Sequence, residues 1–368
     1  MLRRILALTI KELLAVLRDP RSRFVLIGPP LIQIIVFGYA ASFDLNQVAL
    51  GIYDEDNSTW SRELVTAFTG APAFEEVARI HRDNEVEDLI ERKQVLLILH
   101  VAPDFGKTLE ASGSGRLQVI IDGRNSNTAM VALGYINRIL ADLNRDWAAQ
   151  LGRTAPARLQ IRARYNPNLV SRWFIVPGIV GLLTLVVTMV VTSLSVARER
   201  EFGTFDQLLV TPMTPLEILL GKSIPGFLIG TIEATFIILI AVFWFEVPLQ
   251  GSLLALYLGL WLFLLSAVGI GLMISSLSVT QQQALLGGFM FLVPAVILSG
   301  FATPIANMSP AIQYLTYLNP MRYFIIILRG VFLEGATVSM LWPQYWPMVL
   351  IGILSLTLAA WLFRNRMY

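Results

Sequence analysis

Apolar residues in this chain gather into long, almost unbroken runs, and the runs have the length a bilayer demands. A helix crossing the hydrocarbon core needs about 20 mainly apolar residues. Six stretches answer to that: Phe24–Phe43, Trp173–Ala197, Ser223–Phe245, Ser252–Ile274, Ala284–Phe301 and Tyr345–Phe363. The third is interrupted by a single acid, Glu233. A polar turn from Ser275 to Gln283 separates the fourth from the fifth.

Between the first and second runs the pattern changes. Val48–Tyr53, Val95–Leu99 and Leu117–Ile121 are short apolar runs of strand length. Ser58 is placed to cap a helix through Phe68, Asn84–Arg92 predicts a second, and Pro103-Asp104 opens a third. The turn Ser112-Gly113-Ser114-Gly115 ends that helix, Thr128–Leu151 reads as a long fourth, and Arg158–Tyr165 as a last extended piece. Strands alternating with helices predict a mixed sheet with helices packed on it. Ahead of the first run, Leu6, Ile10, Leu13, Leu14 and Leu17 recur at helical spacing with charges opposite. That pattern predicts an amphipathic helix lying on a membrane surface. The 23 residues before the apolar core argue against a cleaved signal peptide, although Gly38-Tyr39-Ala40 resembles a cleavage site. Residues 302–344 are apolar yet cut by Pro304, Pro310 and Pro320 into short helices, which suits a re-entrant hairpin. Arg329 and Glu334 are candidates to pair across it.

Composition agrees. Of 368 residues, 55% are hydrophobic and 15% charged, and the mean hydropathy is +0.64. A soluble domain carries about 25% charged residues, so this chain lacks the polar groups to coat a water-facing surface. The deficit is local: charges are frequent from Asp44 to Arg172 and absent from Val247 to Met321. No cysteine is present, which excludes disulfides and a thiol nucleophile. The formal net charge of +2 is too small to call for a nucleic-acid partner.

Basic residues in short flanks set orientation. Arg3, Arg4, Lys11, Arg18, Arg21 and Arg23 precede the first run; Arg198, Arg200 and Lys222 lie between the second and third; Arg364 and Arg366 follow the sixth. With an even number of spans all three groups share one side, whereas the opposite short connections hold only Arg322 and Arg329. Both termini are therefore expected in the cytoplasm. The expected fold is a polytopic α-helical membrane protein with six transmembrane helices and an inserted extracytoplasmic α/β domain over 44–172. Its organisation is an interface helix at 1–23, the first span at 24–43, and the remaining spans over 173–368. The last part includes a cytoplasmic coupling helix at 198–213.

Little in the chain looks catalytic. His81 and His100, the only histidines, are not at ligand spacing. Asp54-Glu55-Asp56 and Asp122-Gly123-Arg124-Asn125 read better as turns than as metal sites. Gly106-Lys107-Thr108 and Gly221-Lys222-Ser223 imitate the end of a phosphate-binding loop. Each lacks the first glycine of G-x-x-x-x-G-K-[ST], with Val101 or Leu216 in its place. Glu233 is the exception within the spans, and it faces either a helix interface or a substrate path.

The loop after the second run carries a resemblance. Arg198-Glu199-Arg200-Glu201-Phe202-Gly203-Thr204-Phe205-Asp206-Gln207-Leu208-Leu209-Val210-Thr211-Pro212, continuing through Leu216–Lys222, resembles the cytoplasmic motif of ABC-2 type transport permeases. Lys11-Glu12-Leu13 with Arg18-Asp19-Pro20 is similar to the N-terminal signature of that family, and Asn319-Pro320-Met321-Arg322-Tyr323-Phe324 to its C-terminal one. Ile52–Asn57 and Asp122–Asn127 resemble the outer domain of its multidrug-exporter branch. Phe202 departs from the family, which more often has a polar residue there.

The resemblance implies one permease subunit of an ATP-binding cassette exporter in the inner membrane, with no cofactor of its own. ATP and Mg would be bound by a separate ABC ATPase docking from the cytoplasm. A second permease, identical or a sister chain, and a periplasmic adaptor are further expected partners. The expected cargo is a hydrophobic or amphipathic compound. Glu199, Arg200, Glu201, Phe202, Gly203, Thr204, Phe205, Asp206 and Leu209 would form the ATPase-coupling helix, with Phe202, Phe205 and Leu209 as its apolar face. Pro212 and Pro215 would stop it. Glu233 would line the substrate path, and Asn319, Pro320, Arg322 and Tyr323 the outer hairpin. Two other readings stand beside transport. A membrane-anchored receptor needs an inward signalling domain, for which the inner loops are too short; a membrane enzyme needs a carboxylate pair or histidine cluster near a span end.

Overall fold

The structure, a computed structural model, describes residues 1–40, 47–122, 124, 126–150, 170–205, 207 and 210–365. It divides into two compact units, Met1–Ala41 with Ala163–Tyr368, and Ser42–Arg162. The Arg158–Tyr165 segment lies outside the described residues.

In the second unit a four-stranded sheet has the order β2-β1-β3-β4, where β1 is Val48–Asp54, β2 Phe74–Arg79, β3 Leu97–Val101 and β4 Leu117–Ile121. β1 is parallel to β2 and β3, and β4 is antiparallel to β3. Side chains alternate across a strand. Leu50, Ile52, Leu97, Leu99 and Val101 therefore share one face, where they pack with Leu64, Phe68, Phe105, Ala132 and Trp147. Tyr53 and Ile98 share the other face with Ile80 and Val95. The first face is covered by α3 (Thr59–Thr69), α5 (Phe105–Ser112) and α6 (Ser126–Gln150). The second is covered by α4 (Asp83–Glu91). Ser58 caps α3 by accepting from the Ser61 N–H. Across the ends of β1 and β3, Tyr53 stacks on His100 with ring centroids 4.6 Å apart. Glu55 sits 2.8 Å from His100 Nε2, and Gln118 lies 3.1 Å from Nδ1.

The first unit is helical. It begins with α1 (Leu2–Arg18) and α2 (Pro20–Ala40) and resumes with α7 (Ser171–Glu201), α8 (Pro215–Phe243), α9 (Leu253–Leu277) and α10 (Gln281–Ile297). Short pieces follow at Ile305–Asn307, α11 (Pro310–Leu315) and Thr316–Leu318, then α12 (Pro320–Leu333) and α13 (Trp342–Asn365). Among the described residues, four helices are long and apolar enough to cross a membrane: α7, α8, α9 and α13. Shorter apolar stretches occur at Leu26–Tyr39 within α2 and along α10. The core sits on α7 and α9, whose most apolar stretches are 72% and 61% buried, against 33% for α8 and α13. The last two thus present a long apolar flank to their surroundings.

Several boundaries differ from the sequence expectation, each for a local reason. α8 opens at Pro215 rather than Ser223, because Thr214 and Glu217 form a reciprocal capping box with proline at the first turn. Pro215 therefore starts a helix. α9 runs on to Leu277 and α10 starts at Gln281, so the turn between them shrinks to Ser278–Thr280. α1 carries two apolar faces instead of one. Leu6, Ile10, Leu14 and Leu17 are exposed, while Ile5, Leu8 and Thr9 are buried. Arg329 and Glu334 form no ion pair; Glu334 is exposed, and the Arg329 guanidinium lies over the Phe174 ring.

Candidate functional site

Sequence motifs converge on the end of the helical unit where α7 stops. Gly203, at φ +69°, takes a left-handed conformation that favours glycine and terminates the helix. The Gly203 N–H reaches back to the Arg200 carbonyl and the Thr204 N–H to that of Glu199. Glu199, Arg200 and Glu201 are therefore the last turn of α7 and not the start of a separate helix. The break separates two residues expected on one apolar face: Phe202 is 67% exposed, whereas Phe205 is buried. Phe205 meets Phe363 edge-on at 5.8 Å and packs with Leu8, Val196 and Ile218. Asp206 and Leu209 lie outside the described residues. Gly203 and Thr204 are exposed beside Phe202.

The last turn of α7 binds its neighbours through charge. Arg200 donates to the Ser276 and Ser278 carbonyls at 2.8 and 3.2 Å, and its guanidinium lies 5.0 Å from the Phe205 ring centre. Glu201 accepts from the Gln281 N–H at the start of α10. Glu199 is the hub. Lys222, on α8, lies 2.7 Å from Glu199 and 3.0 Å from Glu12, and donates to the Ser195 carbonyl at 3.2 Å. Lys11 lies 2.6 Å from Glu199. The Lys222 side chain is 1% exposed and that of Glu199 8%. Two lysines and two glutamates thus cancel, joining α1, α7 and α8; Lys222, Glu199 and Glu12 are largely sealed, whereas Lys11 is half exposed. Such a cluster is tolerable in low dielectric because every charge has a partner; removing one partner typically costs about 3–5 kcal/mol.

Close approach makes the cluster possible. Gly221 faces Leu8, and a Cβ there would fall 2.6 Å from the leucine Cδ2. Any larger residue would push α1 off α8 and part Lys222 from Glu12. Glu217, near the start of α8, adds longer contacts to Arg4 and the N-terminal amine at 3.8 and 3.7 Å.

Beside the network opens a cavity of about 820 Å³. Lys11, Glu12, Arg198, Glu199 and Lys222 line one part of it; Leu26, Val190, Val191, Leu194, Leu285 and Phe289 line another. The wall is amphipathic: charged where α1 meets α7, apolar along α2, α7 and α10. In the sequence Lys11, Glu12 and Lys222 show only as basic flanks and signature residues. Their pairing spans 188 to 210 residues, which leaves no local trace.

Glu233 lies elsewhere. It is on the same buried face of α8 as Lys222, 9% exposed, and neither carboxylate oxygen has a hydrogen-bond partner. The Thr188 hydroxyl of α7, against Gly230 one turn away, is likewise unpartnered. Glu233 does not line the described cavity.

In the hairpin, the motif residues act as staples. Asn319 accepts from the Met321 N–H to cap α12 and donates to the Ala295 carbonyl of α10 at 2.6 Å. Pro320 is the first residue of α12. Arg322 donates to the Gln313 carbonyl and the Thr316 hydroxyl and lies 4.0 Å over the Tyr317 ring. The Tyr323 hydroxyl donates to the Tyr317 carbonyl.

Comparison with known proteins decides the family. The model of the ABC-2 family transporter protein matches residues 21–361. The chain belongs to the ABC-2 family of transporters. It is 39% identical to the probable multidrug ABC transporter permease YbhR of Escherichia coli (strain K12), over 100% of both chains. It is 36% identical to the probable multidrug ABC transporter permease YbhS of the same organism, over 90% of this chain and 89% of that one. A more distant relative is the linearmycin resistance permease protein LnrN of Bacillus subtilis (strain 168), 24% identical over 92% and 93%. This ABC-2 chain is therefore a multi-pass permease subunit of an ABC exporter, and membership implies association with an ABC ATPase.

Proposed function

We propose that this permease moves hydrophobic or amphipathic compounds out of the cytoplasm or inner leaflet, using ATP and Mg bound by a separate ATPase. The observation that carries the reading is the amphipathic cavity beside the Lys11–Glu199–Lys222 network: a charged rim and an apolar wall suit an amphiphile entering from a membrane boundary. The names of the relatives, which speak of multidrug transport and linearmycin resistance, support the same cargo class.

Six spans serve this scheme: α2, α7, α8, α9, α10 and α13, with both termini in the cytoplasm of the inner membrane. The apolar part of α2 and the 17 residues of α10 are the short ones. At 1.5 Å per residue α10 reaches about 25 Å, a little less than the hydrocarbon core, and the hairpin after it completes the crossing. The sheet unit is then the outward domain, offered to a periplasmic adaptor. The turn at Phe202–Thr204, together with the coupling residues through Leu209, is the ATPase contact. The exposed flanks of α8 and α13 suit lipid and a second permease, identical or a sister chain. ATP binding by the partner favours one arrangement of the permease pair and so shifts the population from inward- to outward-facing. Glu233, on the buried face of α8, lies on a path inside the permease, and the hairpin caps the space between the two chains.

The test is transport in vesicles. Permease and ATPase purified together should accumulate a fluorescent amphiphile on one side of the membrane only when ATP is supplied. Absence of ATP-dependent movement with an active ATPase would refute the reading.

A further inference from the structure

Arg329 stands out as a charge with no counter-ion among the described residues. It lies on α12, most of whose residues are buried, and it shares the one less buried face of that helix with Arg322 and Ile326, at spacings of four and three. Arg322 is engaged by Gln313 and Thr316 through Nη1 and by the Tyr317 ring. Arg329 is not. Its guanidinium carbon lies 3.9 Å over the Phe174 ring of α7, and its Nε and Nη2 are sealed from solvent with no hydrogen-bond partner. No carboxylate among the described residues comes within ion-pair distance of it.

The two unpartnered nitrogens are a particular pair. Nε–H and Nη2–H lie along one edge of the guanidinium and point the same way. They form the fork that grips a carboxylate or a phosphate through two parallel hydrogen bonds. A cation buried without a partner is strongly disfavoured, and the Phe174 ring offsets little of that cost. Two exposed apolar side chains flank Arg329, Phe174 against its guanidinium and Ile326 one turn back on the same face of α12, 42% and 41% exposed. An oxyanion without an apolar part would gain nothing from them.

The geometry points to a binding site at Arg329 for the oxyanion headgroup of an amphiphile, a phosphate or carboxylate held by the Nε/Nη2 fork with its apolar chain along Phe174 and Ile326. Phe174 lies on the face of the guanidinium and leaves its edge to the ligand; the side chains that seal that edge must part for the headgroup to enter. The site is distinct from the cavity beside Glu199. Phe174 and Glu199 are 25 residues apart on α7, or about 37 Å along the helix. It does not depend on the transport scheme, and binding to the isolated permease tests it without ATPase.

The full chain, purified in a neutral maltoside detergent, is titrated with dodecyl phosphate, with neutral dodecyl glucoside and with inorganic phosphate, binding being read by native mass spectrometry. The native chain should bind dodecyl phosphate at least about tenfold tighter than dodecyl glucoside, and Arg329→Gln should lose that preference. Arg329→Lys keeps the charge but not the fork and should fall between. It also carries the test if the glutamine variant does not fold. Inorganic phosphate competing as well as dodecyl phosphate would keep the oxyanion fork and overturn the amphiphile. Phosphatidylglycerol displacing the probe would support an amphiphile and name a lipid as its source. Unchanged preference in both arginine variants would overturn the site.

Discussion

Lys222 and Glu233 occupy one buried face of one helix, about 16 Å apart along its axis, and they are handled in opposite ways. Lys222 has two glutamates and a carbonyl at 2.7 to 3.2 Å, and a second lysine keeps the cluster neutral. Glu233 has nothing: both oxygens are sealed and unbonded. A charge held by three helices is a fastening. A carboxylate left bare in an apolar interior is a cost that folding alone gives no reason to keep, and ionisable groups inside membrane helices commonly mark a functional path. The difference assigns Lys222 to the joint between α1, α7 and α8, and sets Glu233 apart as a buried carboxylate that fastens nothing.

The largest expected effect is at the joint. Lys222→Met leaves the largely buried Glu12 and Glu199 with only the half-exposed Lys11 to serve both. It should destabilise the helical unit by about 3–5 kcal/mol, read as a fall in Tm of the purified chain. The double variant Lys222→Met/Glu199→Leu should recover much of that loss, because it removes the stranded charge together with its partner. A single variant as stable as the native chain would mean the cluster fastens nothing.

At Glu233 the sign reverses. Replacing an unsatisfied buried carboxylate by Glu233→Leu should leave stability unchanged or raise it by up to about 1–3 kcal/mol, while ATP-dependent transport falls. Thermal unfolding and vesicle transport on the same preparation check the pair of outcomes. Full transport in the variant would remove Glu233 from the path.

The sheet unit gives a smaller, pH-dependent effect. The His100 hydrogen bond holds the Glu55 carboxyl below its ordinary range. Burial pulls the His100 imidazole down, but its hydrogen bonds to Glu55 and Gln118 outweigh burial, so it ends above its ordinary value of 6.5. A raised histidine stabilises the fold while protonated and loses that contribution as pH rises through the folded value. A depressed carboxyl loses its contribution only in acid. The link between β1 and β3 should therefore loosen slightly on going from about pH 6 to about pH 8. Hydrogen exchange of β1 and β3 amides in the intact chain, compared with His100→Gln at each pH, should show a protection difference at the lower pH that vanishes at the higher. A difference that persists unchanged at both would contradict it.

How far all this could be read from sequence depends on where each residue finds its partner. β1, β4, the Ser58 cap and the prolines that open α11 and α12 are local features, and local pattern exposes them. β2 was invisible because Phe74-Glu75-Glu76-Val77-Ala78-Arg79 is an edge strand with only Phe74 buried; β1 makes it a strand. The expected start of α8, Ser223, falls eight residues late because Glu217 and Lys222 look like loop charges. Glu217 instead completes a cap, and Lys222 is neutralised by residues far away in the chain. The motif after the second apolar run is visible in the sequence, but the φ of Gly203, which turns Phe202 outward and Phe205 inward, belongs to the backbone and not to the hydrophobic pattern.

The central claim is that the exposed turn after α7 faces the cytoplasm and meets the ATPase. The chain has no cysteine, so Phe202→Cys gives a single reporter at an exposed position. A membrane-impermeant maleimide should label it only in inverted vesicles, and prior addition of the ATPase subunit should block labelling. Labelling from outside intact cells, or labelling indifferent to the ATPase, would contradict the account.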